Sequence, residues 1–76
     1  MKFQLYGKDD CQYCFKAVYL LTNKGIEFEE FKLGKEFTRE ELFEMFPQAK
    51  TFPQIRIKDG PYIGGYTDLE NFLNQI

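Results

Sequence analysis

The chain opens on a short alternation. In Lys2-Phe3-Gln4-Leu5-Tyr6, Phe3 and Leu5 stand against polar neighbours, which predicts a strand over residues 2–6 that ends at Gly7. Lys8-Asp9-Asp10 forms a loop. The spacing then changes: Cys14, Ala17, Val18 and Leu21 recur at i, i+3, i+4, i+7, the buried stripe of a helix over 11–24. Asn23-Lys24-Gly25 is its stop signal. A second strand is expected over 26–33. Ile26 and Phe28 alternate with Glu27 and Glu29, whereas Phe31 and Leu33 fall on the other parity, so a bulge or strand end is expected near Glu30. A strand–helix–strand of this length places the two strands parallel, with a right-handed crossover. Thr38 and Glu41 match a capping box at the start of a second helix. That helix gathers Leu42, Met45 and Phe46 on one face and stops at Pro47.

The remaining third reads as strand, turn, strand, helix. Ile55 and Ile57 alternate within 54–58, Asp59-Gly60 is a hairpin turn, and Pro61 before Tyr62-Ile63-Gly64 suits a short edge strand. Gly64-Gly65 breaks that strand. Thr67 and Glu70 match a second capping box, and Leu69, Phe72, Leu73 and Ile76 continue a helix to the C-terminus. The order is βαβ, then α, then ββα, an α/β arrangement read as a single domain over 1–76, with no repeat and no linker.

Composition narrows the function classes. A 76-residue chain has a small core, and nine Phe and five Tyr supply much of its apolar area. The net charge is −2 and no Lys/Arg cluster stands out, which is not the footprint of a nucleic-acid binder. No apolar run reaches the length of a membrane span. The sequence goes directly into strand pattern with no leader, so the reducing cytoplasm is the expected compartment. Histidine is absent, which removes the usual proton carrier and the commonest metal ligand.

The chemistry concentrates on Cys11-Gln12-Tyr13-Cys14, which holds the only two cysteines. As a structural staple the pair would close a tiny loop and remove little chain entropy. As a structural zinc site it falls short of four ligands, so no metal is expected. A C-x-x-C where a strand turns into a helix is a redox arrangement. The first cysteine lies at the helix's opening turn, where unpartnered N–H groups and the positive end of the dipole favour the nucleophilic thiolate. The second lies one turn on, able to close a disulfide and release a substrate.

Three separated motifs then coincide: Cys11-Gln12-Tyr13-Cys14, Thr51-Phe52-Pro53, and Gly64-Gly65-Tyr66-Thr67-Asp68. Together, and over essentially the whole chain, they resemble a glutaredoxin, in a compact form like small viral or bacterial members. The resemblance implies a thioredoxin-like fold with a four-stranded mixed sheet flanked by three helices. It implies thiol–disulfide exchange with glutathione as reducing co-substrate, in which Cys11 attacks and Cys14 resolves. It implies a cis Pro53 beside the site and pairing of the Phe52 peptide with glutathione's backbone. Gly65, Thr67 and Asp68 would hold the γ-glutamyl end, and Tyr13 and Thr51 would border the groove. Lys8 and Lys50 would attract a carboxylate. Glutathione has two carboxylates and one amine, which a helix N-terminus, an aspartate and lysines can match. The implied partners are glutathione and disulfide-bearing or glutathionylated proteins, a ribonucleotide reductase among them, acted on by a monomer.

Two residues depart from the commonest dithiol pattern. Gln12 stands where that pattern has proline, which restores an N–H on the first turn. It keeps a glutathione-assisted iron–sulfur carrier open as a rival. A thioredoxin-reductase-coupled redoxin is a second rival, disfavoured by the 64–68 segment. Asp9-Asp10 is the other departure: two carboxylates beside the nucleophile oppose thiolate formation, and Lys8 only partly offsets them.

Overall fold

The structure, a computed structural model, describes residues 2–75. Seven elements follow in order: β1 (Phe3–Gly7), α1 (Gln12–Asn23), β2 (Phe28–Lys32), α2 (Arg39–Met45), β3 (Gln54–Ile57), β4 (Tyr62–Gly64) and α3 (Tyr66–Asn74). The strands form one mixed sheet in the order β2-β1-β3-β4. β1 runs parallel to β2 and antiparallel to β3, and β3 is antiparallel to β4. This is the expected four-stranded sheet with three helices. Ile76, the last apolar position of the expected helical stripe, lies outside the described residues.

Both faces of the sheet are covered. On one, Phe3, Leu5 and Ile55 pack with Ala17 and Leu21 of α1 and Leu69 and Leu73 of α3. On the other, Tyr6 meets Phe37, Leu42, Phe46 and Ala49 around α2. All five residues of central β1 are therefore buried, Gln4 included. Gln4 is satisfied there: its amide donates to Glu29 at 2.9 Å and its carbonyl accepts from Arg56 Nε at 2.8 Å.

Double coverage also explains β2. The expected bulge at Glu30 is absent, because the β1–β2 register runs unbroken from Phe3↔Phe28 to Gly7↔Lys32. The change of parity reports two buried faces instead: Phe28 packs toward α1 and α3, Phe31 and Leu33 toward α2. The irregularity in the sheet lies elsewhere, between Ile55 and Arg56 on β3. Ile26 belongs to the end of α1 and not to β2. Gly25 has φ +66, its N–H donates to the Thr22 carbonyl, and Ile26 N–H reaches back to Leu21 at 3.0 Å. This is a Schellman stop with its apolar contact.

The α2 cap is as expected. Thr38 Oγ1 accepts from Glu41 N–H at 3.1 Å, and Thr38 N–H donates to Glu41 Oε1 at 2.8 Å. The α3 cap is shifted from the expected frame. Gly65, not Thr67, is the N-cap, and Asp68, not Glu70, is the side chain that reaches back, accepting Gly65 N–H at 3.1 Å.

Candidate active site

Cys11 is the N-cap of α1, one position ahead of the expected first turn. Its backbone is extended (φ −119°, ψ 110°), and Cys14 N–H donates to its sulfur at 3.3 Å. The sulfur therefore takes a place that Ser or Asp takes in ordinary caps, receiving one of the orphan donors of the first turn. Its S–H in turn points to the Phe52 carbonyl at 3.9 Å. Both thiols are free, with Cys11 9% and Cys14 3% exposed. Cys14 lies over the end of β1, where a Cβ on Gly7 would sit 3.0 Å from its sulfur.

The two thiols are electrostatically unlike. Burial pushes Cys14 up to about 12, reinforced by its hydrogen bond with Cys11 and by the Cys11 charge. The backbone at Lys8 and the Lys32 ammonium pull the other way. Cys14 is thus held as a thiol.

The Phe52–Pro53 peptide is cis. Pro53 is fully buried and, unlike Phe52, does not line the groove. Beside Phe52 opens a groove with a cavity volume of about 380 Å³, in which Tyr13, Lys50, Thr51, Gly65, Thr67 and Asp68 come together. Seven of the expected ligand-holding residues, Phe52 among them, thus line one groove. The cysteines lie just beyond its rim, joined to it through the Phe52 carbonyl. Lys8 is not in the lining: its ammonium sits over the Phe52 ring, 5.8 Å from the centroid, and Arg39 of α2 faces the same ring at 6.0 Å.

Three further groove residues, Gln48, Gln54 and Tyr62, carried no motif signal, and Tyr66 entered only as the variable position of the 64–68 motif. Gln54 is buried and bridges the wall. Its amide donates to the Thr51 carbonyl at 2.7 Å and its oxygen accepts the Tyr62 hydroxyl. Burial raises the Tyr62 phenol above its ordinary range, and the Asp68 carboxylate adds to this. Tyr66 faces Tyr13 with ring centroids 5.9 Å apart, and Tyr13 remains 52% exposed.

The acidic pair before Cys11 is partly neutralised, by a residue other than the expected Lys8. Asp9 pairs with Lys32 Nζ at 3.3 Å. Asp10 turns into the left-handed region, with φ 55°. Among the described residues no group of three or more His, Cys, Asp or Glu side chains could hold a metal, and no helix is long and apolar enough to cross a membrane.

Comparison with known proteins agrees with this geometry. The Glutaredoxin family profile matches residues 3–63. Glutaredoxin 3 of Escherichia coli K12 is 40% identical over 67 residues, covering 87% of this chain and 78% of that protein. Glutaredoxin 1 of Francisella tularensis, solved in complex with cacodylate, superposes with TM-score 0.80 at 27% identity, over 97% of this chain and 93% of that one. The Brucella melitensis glutaredoxin superposes with TM-score 0.77 at 34% identity, over 99% and 80%.

Proposed function

The chain belongs to the glutaredoxin family and is a thiol–disulfide oxidoreductase, and on that premise we propose that it uses glutathione to reduce glutathione mixed disulfides and protein disulfides through Cys11 and Cys14. The observation that supports this most directly is the Cys11 sulfur at the α1 N-cap, joined through Phe52 to a groove ending at the α3 N-terminus and Asp68.

Glutathione's chemistry fits that groove. Its backbone would run along Thr51-Phe52, and its γ-glutamyl carboxylate would meet the N–H groups opening α3. Asp68 would take its amine, and Lys50 would draw the remaining carboxylate. Lys8 and Arg39 add positive charge around Phe52, which concentrates an anionic co-substrate at an otherwise acidic protein.

In the single-thiol route, the Cys11 thiolate attacks the glutathione sulfur of a mixed disulfide. A Cys11–glutathione bond forms, and the client leaves as a thiolate that takes up a proton. A second glutathione thiolate then attacks, releasing glutathione disulfide and regenerating the Cys11 thiolate. In the two-thiol route, Cys11 first opens a client disulfide, and Cys14 displaces the client while closing the Cys11–Cys14 bond. Capping Cys11 in a mixed disulfide removes its negative charge, one of the influences that hold the Cys14 proton. Cys14 therefore becomes easier to ionise when it is needed. Such chemistry suits a reducing compartment such as the cytoplasm, a monomer acting alone, and glutathionylated or disulfide-bearing clients such as a ribonucleotide reductase.

The test is turnover of a small glutathione mixed disulfide with glutathione, glutathione reductase and NADPH. Wild type and Cys14→Ser both turn over, and Cys11→Ser does not. No turnover by folded, reduced wild type would sink the glutathione reading and favour a cluster carrier or a redoxin served by another reductase.

A further inference from the structure

Cys14 sits in an asymmetric environment that the mechanism above does not use. Its sulfur lies against Gly7, on the α1 face of the sheet. Gly7 is paired in register with Lys32 at the end of β2. Paired residues on neighbouring strands project to the same face, and the strands are only about 4.8 Å apart. The Lys32 side chain therefore rises beside Cys14, one strand over. Its neighbours agree with that placement. Its ammonium reaches Asp9 at 3.3 Å and Glu30 at 3.7 Å, and it lies 5.9 Å from the centroid of Phe15, the residue following Cys14. Only a quarter of the side chain is exposed.

The other cations near the site point elsewhere. Lys8 lies over Phe52 and Lys16 over Tyr13. The charged and titratable groups around Cys14 are then Cys11 from the α1 cap and Lys32 from β2, with Asp9 and Glu30 paired to the Lys32 ammonium. Of these, Lys32 alone favours a negative sulfur.

We propose that Lys32 is a positioning residue for the resolving step, the fixed cation beside which the Cys14 sulfur becomes negative as it displaces a client from Cys11. In that step Cys14 gives up its proton to solvent, and its thiolate attacks the Cys11 sulfur. The Cys11–client bond breaks, the client sulfur leaves with the electron pair and is protonated, and the two cysteines are oxidised to a disulfide. Asp9 and Glu30 hold the ammonium in place and moderate it. The lowering of Cys14 by Lys32 and the reciprocal raising of Lys32 by Cys14 agree with this geometry.

The magnitude follows from two opposed effects. A neighbouring cation at a partly exposed site shifts a thiol by roughly one unit, a tenfold change in thiolate fraction. A less basic thiolate is also a weaker nucleophile, which cancels about half of this on a logarithmic scale. Losing the cation is therefore expected to slow resolution about threefold near neutral pH and to move its pH midpoint up by about one unit.

This inference rests on the two-thiol route, so its test omits glutathione. Reduced protein is mixed in single turnover with a peptide carrying one intramolecular disulfide, across a range of pH. Acid quenching and mass spectrometry follow two species: the mixed disulfide at Cys11 and the closed Cys11–Cys14 form. Capture by Cys11 is measured separately in a Cys14→Ser background. Lys32→Gln is expected to slow closure more than capture and to raise the closure midpoint, and Lys32→Arg to restore both. Equal slowing of capture and closure, an unmoved midpoint, or failure of Lys32→Arg to rescue overturns the role given to Lys32 while leaving the oxidoreductase reading intact. Absence of capture by wild type overturns both.

Discussion

Gly64→Ala tests whether the α3 end of the groove is built as described. Gly64 has φ +124°, a conformation L side chains rarely adopt, and an added Cβ would collide with Asp68 Oδ2. Two costs follow. Forcing a side chain into that backbone region costs about 1–3 kcal/mol. Driving Asp68 away forfeits its 3.1 Å bond to Gly65 N–H, a cap worth about 0.5–2 kcal/mol. The combined loss is about 1.5–5 kcal/mol, a fall in Tm on the order of 6–40 °C for a chain of this size. Thermal unfolding followed by circular dichroism measures it. Gly65→Ala is the control: its Cβ would meet only the Pro53 carbonyl at 3.6 Å, an ordinary contact, so a loss under about 1 kcal/mol is expected. Because Asp68→Ala removes the clashing carboxylate, the double variant is expected to lose less than the sum of the singles. A Tm for Gly64→Ala within about 3 °C of wild type would refute the reasoning.

Further outcomes test the site. In wild type at neutral pH, iodoacetamide is expected to label Cys11 and spare Cys14, since a thiol near 12 is ionised to only about one part in 10⁵ at pH 7. In Cys11→Ser, the charge of the partner sulfur is gone, so ultraviolet titration of the remaining thiol is expected to give a lower midpoint than Cys14 shows in wild type; an equal or higher one contradicts the assigned causes. The sign for stability runs the same way. Cys14 is raised on folding, so its contribution is complete below the ordinary cysteine value of 9.0 and is lost as pH climbs from there toward 12. Asp68→Asn keeps an acceptor for Gly65 N–H but removes the charge; KM for a glutathione mixed disulfide is expected to rise about tenfold, equivalent to about 1.4 kcal/mol, with little change in Tm. The Tyr62 phenol is expected to titrate lower in the same variant, because one of its two raising influences has gone.

The elements and the placement of the two cysteines were legible in the sequence because local rules govern them. Cys14, Ala17 and Leu21 mark a helix face by spacing alone, and Thr38 with Glu41 marks a cap by hydrogen-bonding capacity. Where local pattern misled, tertiary packing had overridden it. Phe31 and Leu33 changed parity because β2 is covered on both sides, which only the placement of α2 explains. The start of α3 moved to Gly65 because Asp68 satisfies that N–H, and two overlapping spacings, Gly65–Asp68 and Thr67–Glu70, are not separable by composition. Gln54 and Tyr62 enter the groove through a hydrogen bond between neighbouring strands, and Lys32 meets Asp9 across 23 residues of chain. Neither pairing leaves a trace in a linear pattern.

The strand order also bears on when activity can first appear. β1 lies in the middle of the sheet, with β2 on one side and β3 on the other, so the strand that delivers Cys11 is flanked on both sides only after more than half the chain has been made. The parts that receive a substrate come later still: Phe52, Pro53, Gly65 and Asp68 all lie in the C-terminal third. A nascent chain can form the strand–helix–strand around the cysteines early, because those contacts are close in sequence. Its sulfur then has no wall to hold a partner in line. Productive exchange thus waits on the most distant contacts in the fold, and an incomplete chain carries an ordinary thiol, not a working catalyst.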